Sequence, residues 1–192
     1  MRSLFLFLSR QGHLRRWVET SRLAQRLSSR FVAGELLENA LRVGQRINSE
    51  GITLTLDHLG ESVTSLAEAS EARDVYLRAL EAIHANGVQG NVSLKLTQFG
   101  LDLSEEECRN NVARLVERAA ALGNFVRVDM ESSEYTDRTL CLVEGLHSQY
   151  GGVGTVIQAY LHRSRKDIER LCARRIRVRL CKGAYLEPAD VA

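Results

Sequence analysis

The 192-residue sequence predicts an α/β protein built on a parallel sheet. Two observations carry this. Five short apolar runs, each four to six residues long, alternate with longer segments patterned as helices. Polar, chemically capable residues also gather at the end of each run. Strict alternation places parallel strands inside and helices outside.

The elements follow in order. Residues 1–34 are expected to form an N-terminal helical segment, with Leu4, Leu8, Leu14, Val18, Leu23 and Leu27 as its apolar stripe. The run Leu4–Leu8 is shorter than a signal-peptide core of about 7–15 residues or a spanning helix of about 20. Arg15, Arg16, Arg22, Arg26 and Arg30 face only Glu19, which makes this segment a candidate membrane-facing surface. A helix is expected over Glu35–Glu50, closed by Gly51 before the first strand, Ile52–Leu56. The second helix, Glu61–Asn86, carries Leu66, Tyr76, Leu77, Leu80 and Ile83 and stops at Gly87 before the strand Val92–Leu96. Ser104 with Glu107 forms a capping box. The helix it opens presents Val112, Leu115, Val116, Ala119 and Leu122 and ends at Gly123 before Phe125–Val128. Thr136–Tyr150 is a helix closed by Gly151, followed by the strand Thr155–Tyr160. Ser164–Arg175 and the strand Ile176–Cys181 complete the series.

A doubly wound sheet and a barrel share this alternation. The first sets a glycine fingerprint directly after its first strand, and here Asp57-His58-Leu59-Gly60 stands instead. Gly151-Gly152-Val153-Gly154 precedes a strand, so it reads as a turn. A barrel places functional residues at the C-terminal ends of several strands. Asp57 and His58, Lys95 and Thr97, Asp129 and Glu131, Gln158 and Tyr160, and Arg179 with Lys182 to Tyr185 fit that rule. Charges at one end of five strands are costly unless they pair or bind something. The strand starts lie 40, 33, 30 and 21 residues apart. Eight such repeats need about 250 residues. The expectation is a (β/α)8 TIM-like barrel of which this sequence holds about the first five strands, with the barrel domain over 35–192.

Composition narrows the function classes. With 26 Lys+Arg against 24 Asp+Glu the net charge is +2, which gives no support to nucleic-acid binding. Cys108, Cys141, Cys172 and Cys181 form no CxxC pair, and no histidine follows at zinc-ligand spacing. They are expected to be free buried thiols in a reducing, cytoplasmic compartment, with no metal site.

The strand-end motifs resemble one family, the proline dehydrogenases. The matching stretches are Thr55–Glu61 (TLDHLGE), Asn91–Asp102 (NVSLKLTQFGLD), Val126–Ser132 (VRVDMES), Val156–Ser164 (VIQAYLHRS) and Val178–Pro188 (VRLCKGAYLEP), with Arg30–Leu41 before them. The likeness is to the single-function bacterial form. It implies a distorted barrel that binds FAD, oxidises L-proline to 1-pyrroline-5-carboxylate and passes electrons to a quinone, peripheral to the inner face of the membrane. It also implies residue roles. Asp129 and Arg179 are expected to be catalytic, and Lys95 and Tyr185 to bind substrate. Met130, Gln158, Arg179, Lys182, Gly183 and Ala184 are expected to bind the flavin. Read from the residues alone, Lys95 and Asp129 could also form an ion pair in the lumen, alongside a functional role, Met130 could be core filler, and Tyr160 could only pack. His58 finds no partner in the sequence. Three other readings stay open: a Schiff-base aldolase using Lys95 or Lys182, a related flavin barrel such as a folate reductase, and a non-catalytic fragment that binds a partner.

Overall fold

The computed structural model describes residues 32–34, 36–60 and 62–192. The N-terminal helical segment expected over 1–34 lies, but for 32–34, outside the described residues. The elements are α1 (Leu37–Ser49), β1 (Leu54–Asp57), α2 (Leu66–Ala85), β2 (Gly90–Leu94), α3 (Glu105–Ala121), β3 (Val126–Val128), α4 (Thr136–Tyr150), β4 (Val153–Gln158), α5 (Ser164–Ala173) and β5 (Arg177–Cys181). Short 3-10 turns at Leu96–Phe99 and Ser133–Tyr135 follow β2 and β3.

Local chemistry explains where the helices begin and end. Ser65 and Ser104 cap α2 and α3, their hydroxyls accepting from the backbone N–H of Glu68 and Glu107. Of the capping box expected at Ser104 only the serine half forms, because the Ser104 N–H donates to the Gly100 carbonyl instead of to Glu107. Gly51, Gly87, Gly123 and Gly151 follow helix ends with φ between 62° and 78°, the left-handed region that glycine enters freely.

All five strands are parallel, in the order β1-β2-β3-β4-β5. Each connection advances one strand in the same direction. A doubly wound sheet would reverse at a switch point, so this order is that of a (β/α)8 barrel. Side chains alternate across the sheet. Val92, Leu94, Val126 and Val128 are buried on the face covered by helices, where α2 lies on β2, α3 on β3 and α4 on β4. Tyr76, Leu80, Ile83, Leu115, Leu140, Leu146 and Leu171 complete that core from the helix side. The opposite face carries the polar set. Register aligns Asp57, Ser93, Arg127, Gly154 and Arg177 across it. Gly154 is needed there: a Cβ would lie 2.9 Å from Phe125 Cζ, and that ring already holds the guanidinium groups of Arg127 and Arg177 at 5.3 and 5.0 Å.

The cysteine expectation needs correction. Only Cys108 is buried; Cys141 and Cys172 are exposed and Cys181 is intermediate. The latter three stand on helix faces or strand positions that the core does not cover. Burial pushes the Cys108 thiol up to about 12, so it stays protonated and acts as a small core side chain.

Candidate active site

The strand ends are tied together by a few long-range contacts, and the first is made from outside the sheet. Tyr76 stands on α2 and is almost fully buried. Its hydroxyl donates toward Ser93 O at 2.8 Å and Asp57 Oδ1 at 3.0 Å, and accepts from the His58 backbone N–H at 3.2 Å. Burial first, and then the Asp57 carboxylate, hold this phenol well above its ordinary range, so it remains a donor. Tyr76→Phe leaves the buried Ser93 carbonyl and the Asp57 carboxylate without that donor. We expect it to destabilise the protein by about 1–3 kcal/mol, read as a lower midpoint in urea with an unchanged slope.

Two ion pairs sit beyond this anchor. Lys95, one residue past β2, pairs with Asp57 Oδ2 at 3.4 Å. Asp129, one residue past β3, accepts from Arg179 Nη2 at 2.7 Å and from the Ser93 hydroxyl in a short hydrogen bond. The lumen pair of Lys95 with Asp129 anticipated from sequence is thus replaced by an exchange of partners. The cause is register. Asp57 lies opposite Ser93 on the neighbouring strand, two residues before Lys95, and Arg179 reaches Asp129 from β5. The Asp129 side chain is 18% exposed and Arg179 40% exposed. Only one of the five guanidinium N–H groups of Arg179 appears in that bond. The pair is therefore fixed in place yet open to a ligand.

His58 has a partner after all. Gln98 Nε2 lies 3.2 Å from its Nδ1 and also donates to the His58 carbonyl at 3.2 Å. Gln98 thus touches both the ring and the backbone of His58.

The far side of the site is the segment after β5. Ala184 N donates to Gln158 Oε1 at 2.9 Å, and Gln158 Nε2 donates to the Glu131 carbonyl at 2.9 Å. Gln158 is buried, with one amide hydrogen left for another acceptor. Gly183 has φ 129°, and a Cβ there would overlap the Tyr160 ring, with Cγ 2.8 Å away. The glycine expected to let backbone approach a cofactor is thus required first by Tyr160. Tyr160 also donates its hydroxyl to Tyr185 O at 3.0 Å. Lys182, Gly183 and Ala184 are exposed, with the Ala184 N–H and the Lys182 carbonyl already bonded, to Gln158 and to the Tyr160 N–H. Met130 is the reverse case and is buried.

The sequence marked Glu131 as a strand-end residue without a role, and read Tyr76 only as an apolar helix position. Glu131 is buried, and its carboxylate accepts from Thr97 N at 3.1 Å and Thr97 Oγ1 at 2.6 Å. Its place three residues past the apolar run Val126–Val128 is the signal that marked it as a strand-end residue. A separate cavity of 690 Å³ opens at the other, N-terminal ends of the strands, lined in part by Asn91, Arg127, His147 and Arg177. Burial, with Arg179 and Arg177 nearby, lowers the Arg127 pKa.

FAD can be tested against this donor set. It needs cations near the flavin ring, backbone N–H groups within reach, and a polar side chain at the ring edge. Arg179 and Lys95 supply the first, Lys182 and Gly183 the second and Gln158 the third. The residues present fit the group.

A singly wound parallel sheet with ionised side chains at the carboxyl ends of its strands defines a (β/α)-barrel protein, the class whose sites lie at that end. The comparisons with known proteins make the assignment narrower. The family model for proline dehydrogenase matches residues 40–189, and the chain belongs to that family. It is 37% identical to proline dehydrogenase 1 of Bacillus subtilis strain 168 over 194 aligned residues, covering 100% of this chain and 63% of that protein. It is 40% identical to the proline dehydrogenase of Deinococcus radiodurans over 171 residues, covering 86% of this chain and 55% of that one. The chain therefore spans between half and two thirds of these curated relatives. Among solved structures, proline utilization A from Bdellovibrio bacteriovorus, inactivated by N-propargylglycine, superposes with a TM-score of 0.76 at 25% identity, over 84% of this chain and 20% of that one. Among the described residues no helix is long and apolar enough to cross a membrane.

Proposed function

We propose that the chain carries the flavin-facing and part of the substrate-facing wall of a proline dehydrogenase. When bound, FAD supplies the two-electron acceptor for oxidation of L-proline to 1-pyrroline-5-carboxylate. The single observation that supports this most is the Ser93–Asp129–Arg179 chain beside the Asp57–Lys95 pair, all at the C-terminal strand ends.

Each residue has a role in this reading. Arg179 would hold the flavin ring with a fixed guanidinium, and Asp129 keeps that guanidinium in one orientation. Lys95, steadied by Asp57, faces the substrate, and Tyr185 lies against the proline ring. Lys182, Gly183 and Ala184 give backbone contacts to the cofactor, as does Met130. Gln158 offers its remaining N–H to the flavin edge. A quinone receives the electrons, and the basic residues among 1–34 give the protein its peripheral contact with the inner face of the membrane.

The proline dehydrogenase family match favours the flavin reading over the Schiff-base alternative through Lys95 or Lys182. FAD incubation followed by desalting tests the reading: the protein should retain the flavin's visible bands, and Arg179→Ala should lose most of them. Equal retention by both proteins would remove Arg179 from the cofactor site.

A further inference from the structure

We propose that Glu131 is a positioning residue that sets the backbone of residues 182–185 from the opposite side of the site. The inference rests on the flavin reading for its functional consequence and on geometry alone for its structural one. A carboxylate buried this deeply must be held by hydrogen-bond donors. Glu131 takes two of them from one residue, Thr97, whose backbone N–H and hydroxyl engage separate carboxylate oxygens at 3.1 and 2.6 Å. That fixes the turn after β3 against the 3-10 turn after β2. The Glu131 carbonyl then accepts from Gln158 Nε2 at 2.9 Å, and Gln158 Oε1 accepts from Ala184 N at 2.9 Å. The Gln158 backbone is itself anchored, its carbonyl accepting from Ser164 Oγ at 2.5 Å.

One continuous chain of hydrogen bonds thus crosses the exits of β2, β3, β4 and β5. An amide side chain such as Gln158 has no fixed orientation of its own. Here the Glu131 carbonyl selects which end faces Ala184, because only the NH2 end can donate to it. Reversing the amide would place two donors, Nε2 and the Ala184 N–H, against each other. Glu131 therefore acts on segment 182–185 through Gln158, and Thr97 acts through Glu131. A fully satisfied buried network of this kind confers a single geometry, whereas a half-satisfied one does not.

Amide hydrogen exchange on the protein without flavin tests this directly. In Glu131→Ala the peptide covering 182–185 should exchange about tenfold faster, because the residue-131 carbonyl remains but the turn that carries it is no longer tied to Thr97, so the Gln158 amide that accepts from the Ala184 N–H is less firmly oriented. Peptides from α3 should exchange as in the wild type. Glu131→Gln should restore slow exchange, since its carbonyl can accept from Thr97 N and its amide can donate to Thr97 Oγ1. Thr97→Val, which removes one bond and no charge, should give an intermediate rise and serves if Glu131→Ala unfolds. Wild-type exchange at 182–185 in Glu131→Ala, or in Thr97→Val where the first variant is unfolded, would overturn the proposal. A flavin titration on the same proteins separates the two readings. Faster exchange with weaker FAD binding supports both, and faster exchange in proteins that never bind FAD upholds the network and removes the flavin role. Unchanged exchange in a protein that binds FAD does the opposite.

Discussion

Asp129→Ala should lower flavin-dependent proline oxidation by about a hundredfold or more, the scale seen when a preorganised charge partner is removed from a catalytic site. The reason lies in what Asp129 joins. It accepts from Ser93 on β2 and from Arg179 on β5, so one carboxylate fixes groups on strands that do not pair with each other. Without it the Arg179 guanidinium, already 40% exposed, keeps its charge but loses its anchor. Asp129→Asn separates geometry from charge: its amide carbonyl can still accept from Ser93 or Arg179, while the negative charge is gone. Removal of a transition-state contact lowers kcat and kcat/KM together, whereas removal of uniform binding raises KM alone. We expect the first pattern. Steady-state kinetics on flavin-loaded protein checks it, and wild-type kcat in both variants would show that Asp129 is only a structural ion-pair partner.

Gly183→Val is the second large effect. A φ of 129° is strained for any L side chain, and for a β-branched one most of all. The Tyr160 ring also occupies the space that a Cβ needs, and Tyr160 is itself bonded to the Tyr185 carbonyl. Either Tyr160 swings out, releasing Tyr185, or the backbone of 182–185 moves. Both outcomes disturb the segment proposed to touch FAD, at a strain cost of about 1–3 kcal/mol. Flavin affinity should fall at least about tenfold. The fold should persist, because Gly183 is exposed and remote from the helix-side core. Flavin titration beside a thermal melt checks this. Unchanged affinity in a folded Gly183→Val protein would place the cofactor elsewhere.

Much of this was legible in the sequence because it is local. Apolar runs mark the strand segments that face helices, and glycines mark the helix ends. Strand bounds were less legible. β2 begins at Gly90, two residues before the apolar run, because pairing needs only backbone there, and a small residue lets Leu54 of β1 come close. The 3-10 turn at Leu96–Phe99 was hidden because its residues look like a continuing strand; Gly100, with φ 85°, is what closes it. Site membership was legible from charged residues at strand ends, but partnership was not. Lys95 and Asp57 are 38 residues apart and Arg179 and Asp129 are 50, so only register decides which carboxylate each cation meets. Tyr76 was read as an apolar helix position, and its hydroxyl, which reaches two strand ends, carries no periodic signal.

The most direct measurement of the central claim is the visible spectrum of FAD-loaded protein under anaerobic conditions as L-proline is added. The account predicts stoichiometric bleaching of the flavin bands by proline and reoxidation by a quinone. A flavin bound at this site that stays oxidised in saturating proline would contradict it.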